Sequence, residues 1–197
     1  MMARSQNDGF TMLEILISLF IIAVGLLGML GLQAQATVAE FESYQRGQAL
    51  VLVQDMVDRI NANRGASLCY VITTDPAAGS PQLGAGSAAP ACAAATGTLL
   101  TRAMADKDLA DWDAALNGAA ETKSGANVGG MLGARGCVTY QPASGNYRVA
   151  VAWQGMSATI APTAVDANAT CGLNQYGNEA LRRELSVTLR IANLGGV

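Results

Sequence analysis

The chain has few residues that could take part in catalysis, and it has no histidine. The 197 residues include no histidine, which excludes histidine general-base catalysis and metal sites with histidine ligands. The sequence contains neither GxxxxGK[ST] nor GxGxxG, and no nucleophile with a neighbouring base is visible. The net charge of −3 argues against a nucleic-acid partner. We therefore expect no enzymatic activity, no cofactor and no bound nucleic acid.

A single carboxylate stands near the start of an otherwise apolar segment. GFTMLEILISLFIIAVGLLGMLGL runs from Gly9 to Leu32, and Glu14 is its only charge. As a helix, the run from Phe10 to Leu32 spans roughly 34 Å, enough to cross a bilayer core. A charge there costs about 3 kcal/mol and needs a partner, and Ser18 could give only a hydrogen bond. The partner must come from elsewhere, unless the carboxylate snorkels to the headgroups.

Four aspartates in DKDLADWDAALNGAA invite a calcium interpretation, but the pattern favours a helix. No glycine turn and no terminal glutamate complete an EF-hand loop, so we expect no metal site. Leu109, Trp112 and Leu116 share one helical face. Asp106 or Asp108 is then the expected N-cap of a short helix.

The four cysteines all follow the apolar segment. If the leader is cytoplasmic, they lie in the oxidising periplasm, where disulfides are expected; Arg4 and the initial amine weakly favour that topology. Three connectivities are possible. We favour Cys69–Cys92 and Cys137–Cys171, because each closes a local loop and restricts the unfolded chain. Free buried thiols are the alternative, and the absence of CxxC argues against zinc and thioredoxin-like chemistry.

The apolar segment continues into an amphipathic one. Apolar residues recur at three- and four-residue spacing from Phe41 to Ile60, and Gly65 follows a basic last turn as a stop signal. One helix is therefore predicted from about residue 10 to 63. The alternatives are two separate helices, or a secretory signal peptide cleaved near the AQA of Ala34 to Ala36.

The remainder of the chain predicts a head with a sheet. Residues 73–98 and 117–136 are rich in glycine and alanine and are predicted loops. GCVTYQ, NYRVAVAWQGM and RRELSVTLRIA alternate in polarity, which predicts three antiparallel strands with one apolar face each. The amphipathic half of the helix is the expected cover of that face, and the fold class is α+β.

The N-terminal motif resembles the type IV prepilin signature. Gly9-Phe10-Thr11 and Glu14, after a short leader and before an unbroken apolar run, carry the resemblance. It implies that a prepilin peptidase cuts between Gly9 and Phe10, and that Phe10 is then N-methylated. It also implies that the helix anchors the protein in the membrane until assembly, when Glu14 pairs with the amino terminus of a neighbouring subunit.

One departure from that family concerns the helix itself. Major pilins usually carry a helix-bending proline, whereas this chain has none before Pro76. Gly25, Gly28 and Gly31 stand in the segment instead. They form a small-residue ridge that permits close helix contact, or they reflect the ordinary use of glycine in transmembrane helices.

Five later stretches resemble the PilV family of minor type IV pilins: QRGQALVLVQDMVDRINANR, LADWDAAL, GCVTY, YRVAVAWQGM and RRELSVTLRI. The resemblance implies a low-abundance subunit that primes filament assembly with other minor pilins and the major pilin, often with a large tip adhesin. The alternatives are a pseudopilin of type II secretion, which shares the leader and Glu14, and an adhesive or ligand-binding head.

These inferences divide the chain into four parts. Residues 1–9 form the leader, 10–33 the transmembrane or filament-core half of the helix, 34–64 its amphipathic half, and 65–197 the periplasmic head. The expected fold is type IV pilin-like, with the long helix packed on an antiparallel sheet head with disulfides. We expect a single-pass protein of the bacterial inner membrane, surrounded by lipid before assembly and extracellular in the pilus afterwards.

Overall fold

The computed structural model describes residues 11–85, 88–93, 97–119, 121–127 and 129–191. The chain divides into two compact units, Met1–Phe41 and Glu42–Val197, here called the N-terminal unit and the head. The leader, including Gly9 and Phe10, lies outside the described residues. The first helix, α1, runs from Met12 to Ala62 and contributes to both units.

The described part of the N-terminal unit is one helix whose side chains are exposed throughout. Its most apolar window has a mean hydropathy of 2.8 and no buried residue. Within the described residues, α1 is the one helix long and apolar enough to cross a membrane. A soluble protein rarely exposes an apolar surface this continuous, so the segment requires lipid or other helices as its surroundings.

In the head, α1 buries one face against the sheet. Its buried positions fall at three- and four-residue spacing: Gln45, Ala49, Val53, Met56, Val57 and Ile60. The apolar members of this set from Ala49 to Ile60 share one core cluster with the strand residues Val138, Val149, Val151 and Trp153. The antiparallel sheet of the predicted α+β fold is confirmed, and the amphipathic part of α1 covers it.

The helix α1 ends near the predicted position, but Gly65 is not what ends it. Gly65 does not adopt a positive φ and lies inside a 3-10 helix, Arg64–Tyr70, that follows α1 directly. The turn is made at Asn63, whose side chain donates to the Thr101 carbonyl at 2.7 Å and to the Tyr70 hydroxyl at 3.2 Å. A buried asparagine therefore fixes the direction of the chain here, and the glycine does not.

The second helix, α2, spans Leu99–Leu116 and begins well before the aspartates. Thr98 is its N-cap and forms a capping box with Thr101. The prediction of Asp106 or Asp108 as N-cap was therefore wrong, because a threonine pair satisfies the free N–H groups two turns earlier. Both aspartates lie inside the helix and bind other elements.

The sheet has four strands, all antiparallel, in the order β1 (Leu83–Gly84), β4 (Arg135–Gln141), β5 (Asn146–Gln154) and β6 (Arg182–Arg190). The three predicted strands are β4, β5 and β6. Their register sets Val138 opposite Val149 and Val149 opposite Val187. The head also has a four-residue helix, α3 (Pro162–Val165), and a 3-10 helix, Glu179–Leu181.

Both predicted loops contain short strands, which is a correction. In residues 73–98, β1 (Leu83–Gly84) pairs with β4, and Leu83 is only 1% exposed. Gly84 has φ +94°, and a Cβ there would lie 2.2 Å from the Ala134 carbonyl oxygen, so the pairing needs glycine. In residues 117–136, β2 (Thr122–Lys123) and β3 (Ala126–Asn127) form a separate hairpin.

The sheet face opposite α1 is also buried, although the sequence predicted one apolar face for each strand. Cys137, Ala150, Ala152, Cys171 and Tyr176 form a second, smaller core there. Cys137, Ala150 and Ala152 are small, so the segment that carries Cys171 and Tyr176 packs closely on them. Alternation of polarity missed this cover because alanine reads as neutral in such a pattern.

Candidate assembly site

Glu14 lies in the first turn of α1, at the exposed end of the apolar helix. The Thr11 carbonyl accepts hydrogen bonds from the N–H groups of Glu14 and Ile15 at 3.1 and 3.3 Å, and the Thr11 hydroxyl also accepts from Glu14 N at 3.3 Å. Thr11 thus begins the helix. A carboxylate in the first turn is favoured by the helix dipole.

No cation among the described residues lies within ion-pair distance of the Glu14 carboxylate. Ser18, the neighbour considered from the sequence, donates its hydroxyl to the Glu14 backbone carbonyl at 2.7 Å instead. The described part of the chain therefore provides no charge partner for this carboxylate.

The surface around Glu14 is apolar on every side of the helix. Large apolar side chains between Met12 and Leu32 are 49–83% exposed. Gly25, Gly28 and Gly31 add places where a Cβ would meet no atom within 4 Å. A neighbouring helix could approach the α1 backbone closely at these three positions.

The four cysteines are brought together in two pairs. Cys69 bonds Cys92, with 4.9 Å between their Cα atoms, and Cys137 bonds Cys171, with 5.7 Å. The first bond ties residues after β1 to the 3-10 helix that follows α1. The second ties β4 to the segment covering the outer sheet face. Among the described residues, no cluster of acidic or cysteine side chains could hold a metal ion.

Charged side chains fasten α2 to α1. Arg59 lies 2.9 Å from both Asp55 and Asp108 and 3.7 Å from Asp111. The Tyr70 hydroxyl donates to the other carboxylate oxygen of Asp108. Burial and then this hydrogen bond raise the pKa of Tyr70 far above its ordinary value. Two of the four aspartates that suggested calcium, Asp108 and Asp111, therefore contact α1. The other two, Asp106 and Asp113, accept hydrogen bonds from the Cys92 and Gly84 N–H groups.

A second charged group lies behind the sheet. Arg182 is fully buried and contacts Glu184 at 2.9 Å and Glu179 at 2.6 Å. Arg148 contacts Glu184 at 3.4 Å and Asp166 at 2.8 Å. Burial raises the pKa of Glu184 to about 7, although both guanidinium groups oppose that shift. The group connects β5 and β6 to the loops that cover the outer face.

The described part of the head contains an apolar groove that the sequence did not predict. It encloses about 550 Å³ and lies between α1, the end of α2 and the loop before β4. Its lining residues are Tyr44, Gly47, Gln48, Val51, Leu52, Ala115, Gly129 and Met131. Two large side chains that line it, Val51 at 67% and Tyr44 at 58% exposure, lie outside the core. Tyr44 belongs to the apolar pattern of the helix, so the sequence carries no signal that separates it from the core residues.

Comparison with known families agrees with this arrangement. The family model described as Type IV pilin Tt1218 matches residues 31–115, and the model of the prokaryotic N-terminal methylation motif matches residues 4–30. No match was found among curated proteins or among solved structures. The two matches together support a type IV pilin that carries the prepilin methylation motif. The motif implies processing by a prepilin peptidase and assembly with other pilins, and the pilin family is structural.

Proposed function

We propose that this pilin is a minor subunit of the PilV type, which helps to initiate pilus assembly together with other minor pilins. The assembly role rests on the exposed apolar surface of α1 from Met12 to Leu32, whose one carboxylate, Glu14, has no ion-pair partner among the described residues. A surface of this kind is shielded from water only by lipid or by other helices, and in a filament only other helices can do so. Its role is therefore assembly and not catalysis. The minor-pilin assignment rests on the five later stretches that resemble the PilV family.

Processing supplies the missing partner in this proposal. Cleavage between Gly9 and Phe10 creates a new amino terminus, which is N-methylated and remains positively charged. In the low-dielectric centre of a bundle of helices, an unpaired carboxylate is costly. The axial register that brings the amino terminus of one subunit to Glu14 of its neighbour is then strongly preferred. Glu14 acts as a register selector.

The apolar helix and the two disulfides support a single-pass topology in the inner membrane. The leader is cytoplasmic, residues 10–33 cross the inner membrane, and the head lies in the periplasm, where its two disulfides are stable. When the first subunits associate, the apolar helix exchanges lipid for neighbouring helices. A few minor pilins joined in this way lower the cost of adding the first major pilins, and they remain at or near the pilus tip, where a large adhesin is a candidate partner.

The proposed role is tested by deleting the gene and restoring it on a plasmid. Initiation by this subunit predicts that the deletion strain has far fewer surface filaments while the level of major pilin in the membrane is unchanged. Immunogold labelling of the complemented strain should place this protein at filament ends. Normal filament number in the deletion strain, with loss of protein secretion, would instead identify a pseudopilin of type II secretion.

A further inference from the structure

Glu42, the first residue of the head, binds the loop that connects β5 to α3. One of its carboxylate oxygens accepts hydrogen bonds from the Met156 and Ser157 N–H groups at 3.0 and 3.3 Å, and from the Ser157 hydroxyl at 3.3 Å. Arg183 lies 3.2 Å from the same oxygen. Four donor atoms from two distant segments therefore meet at this carboxylate group.

Other hydrogen bonds fix the position of the Arg183 guanidinium, so Glu42 binds a group that is already in place. Its guanidinium donates to the Ser157 carbonyl at 2.7 Å and to the Ala180 carbonyl at 3.0 Å. The group also lies against Gly155, where an added Cβ would be 2.7 Å from its central carbon. The Arg183 side chain is 15% exposed and that of Glu42 is 26% exposed. An ion pair this shielded and this well hydrogen-bonded is stronger than an ordinary surface pair.

The α1 residues just after Glu42 contribute little to holding the helix on the head. Gln45 is 1% exposed, yet neither polar atom of its amide has a partner within the described part of the chain. Gly47 has no side chain, and Gln48 reaches the Gly129 carbonyl only at 3.4 Å. The first buried apolar residue of the helix is Ala49. Burial of an unpaired amide opposes packing, so exposure to water would benefit Gln45.

We propose that the Glu42–Arg183 contact is a strap that holds the first two turns of α1 in the head, Glu42–Gln48, against the rest of the head. Breaking it lets these turns separate and their backbone hydrogen bonds open locally, while the rest of the head stays folded. The strap opposes the tendency of Gln45 to hydrate. Beyond these turns, Ala49 and Val53 in the core stop the separation. Opening therefore adds about two helical turns to the part of α1 that other molecules can reach. This inference does not depend on the proposed role in pilus initiation.

Hydrogen–deuterium exchange of the full chain in detergent micelles tests the strap, read by mass spectrometry on peptides covering 42–49 and 155–158. The variant Glu42→Gln keeps the shape and removes the charge, and we expect about tenfold faster exchange in both peptides with no change in β4 to β6. Glu40→Gln is the matched control, because Glu40 is exposed on the same helix and has no ion pair in the described residues.

A second variant tests the contribution of Gln45, which opposes the strap. Gln45→Met removes the unpaired amide at similar volume, so we expect slower exchange in the 42–49 peptide. The proposal would be overturned if Glu42→Gln exchanged like Glu40→Gln, or if it accelerated exchange equally throughout the head. Faster exchange in Gln45→Met would overturn it as well, since burial of the amide would then stabilise these turns.

Discussion

The indole N–H of Trp112 donates a hydrogen bond of 2.9 Å to the backbone carbonyl of Leu52. This bond joins α2 to α1 in the middle of the head, and Trp112 is completely buried. On its other side the ring lies against β4, where a Cβ added to Gly136 would come within 2.3 Å of a ring atom. One tryptophan thus sets the spacing of two helices and a strand.

We expect Gly136→Ala to destabilise the head by about 1–3 kcal/mol, because the ring cannot move without losing its bond to Leu52. Gly47→Ala is the control: it also adds one methyl group, but meets no atom within 4 Å in a helix, so it should leave stability equal or slightly higher. Urea unfolding of the full chain in detergent, followed by tryptophan fluorescence, measures both. Equal stabilities would contradict this account of the Trp112 packing.

We predict that the protein isolated from its natural compartment contains the same two disulfides. Non-reducing peptide mapping should recover Cys69 linked to Cys92 and Cys137 linked to Cys171, and no other pairing. Replacing both cysteines of either pair by alanine should cost about 2–4 kcal/mol of unfolding free energy, since the constraint on the unfolded chain is lost. A linkage between Cys92 and Cys137 would contradict both the pairing and the path of the chain after β1.

The buried Glu184 predicts that stability depends on pH near neutrality. Its folded-state pKa is raised to about 7 from 4.5, so the folded protein holds a proton that the unfolded chain releases above pH 4.5. This contribution is fully present below pH 4.5 and is lost as the pH rises through 7. It amounts to roughly 3 kcal/mol for a shift of this size.

Unfolding free energies of wild type and Glu184→Gln, measured from pH 4.5 to 8, test this effect. The wild type should lose stability across that range, and the variant should lose much less, because its amide does not titrate. Asp166 contacts the same Arg148 but is exposed, with a pKa lowered mainly by the Asn168 N–H and then by Arg148. Asp166→Asn should therefore retain the wild-type slope. An identical slope in Glu184→Gln would contradict the account.

Much of the fold follows from periodicity in the sequence. The apolar residues of α1 and the alternation in β4, β5 and β6 predicted the long helix, the antiparallel sheet and their packing. These elements are long and their patterns repeat, so local chemistry specifies them well. The α+β, type IV pilin-like fold class is confirmed by the structure together with the family matches.

The features that were missed depend on contacts between distant residues. The strand β1 has two residues, and only the open edge of β4 makes it a strand. The start of α2 is the exception, because Thr98 and Thr101 are only three residues apart. Thr101 stands where the usual capping-box pattern has glutamate or glutamine, so the pattern was not evident. The groove at Gly47 and the strap at Glu42 each need three segments to meet, which no spacing in the sequence encodes.

Glu14 is predicted to act through its charge and not its shape. Glu14→Gln should reduce the amount of this pilin recovered in sheared filaments by tenfold or more, which corresponds to a lost interaction of about 1.4 kcal/mol or greater. The membrane pool and the processing of the leader should be unaffected. Glu40→Gln should be incorporated like wild type. Normal incorporation of Glu14→Gln would show that an ion pair at Glu14 does not select the register.

Mass spectrometry of the N-terminal peptide, taken in parallel from sheared surface filaments and from membranes, tests the central claim most directly. The account predicts a methylated peptide that begins at Phe10 in the filaments. A processed peptide confined to membranes would contradict incorporation and indicate a pseudopilin or an assembly role without export. An uncut peptide that still contains Gly9 in both fractions would contradict prepilin processing itself.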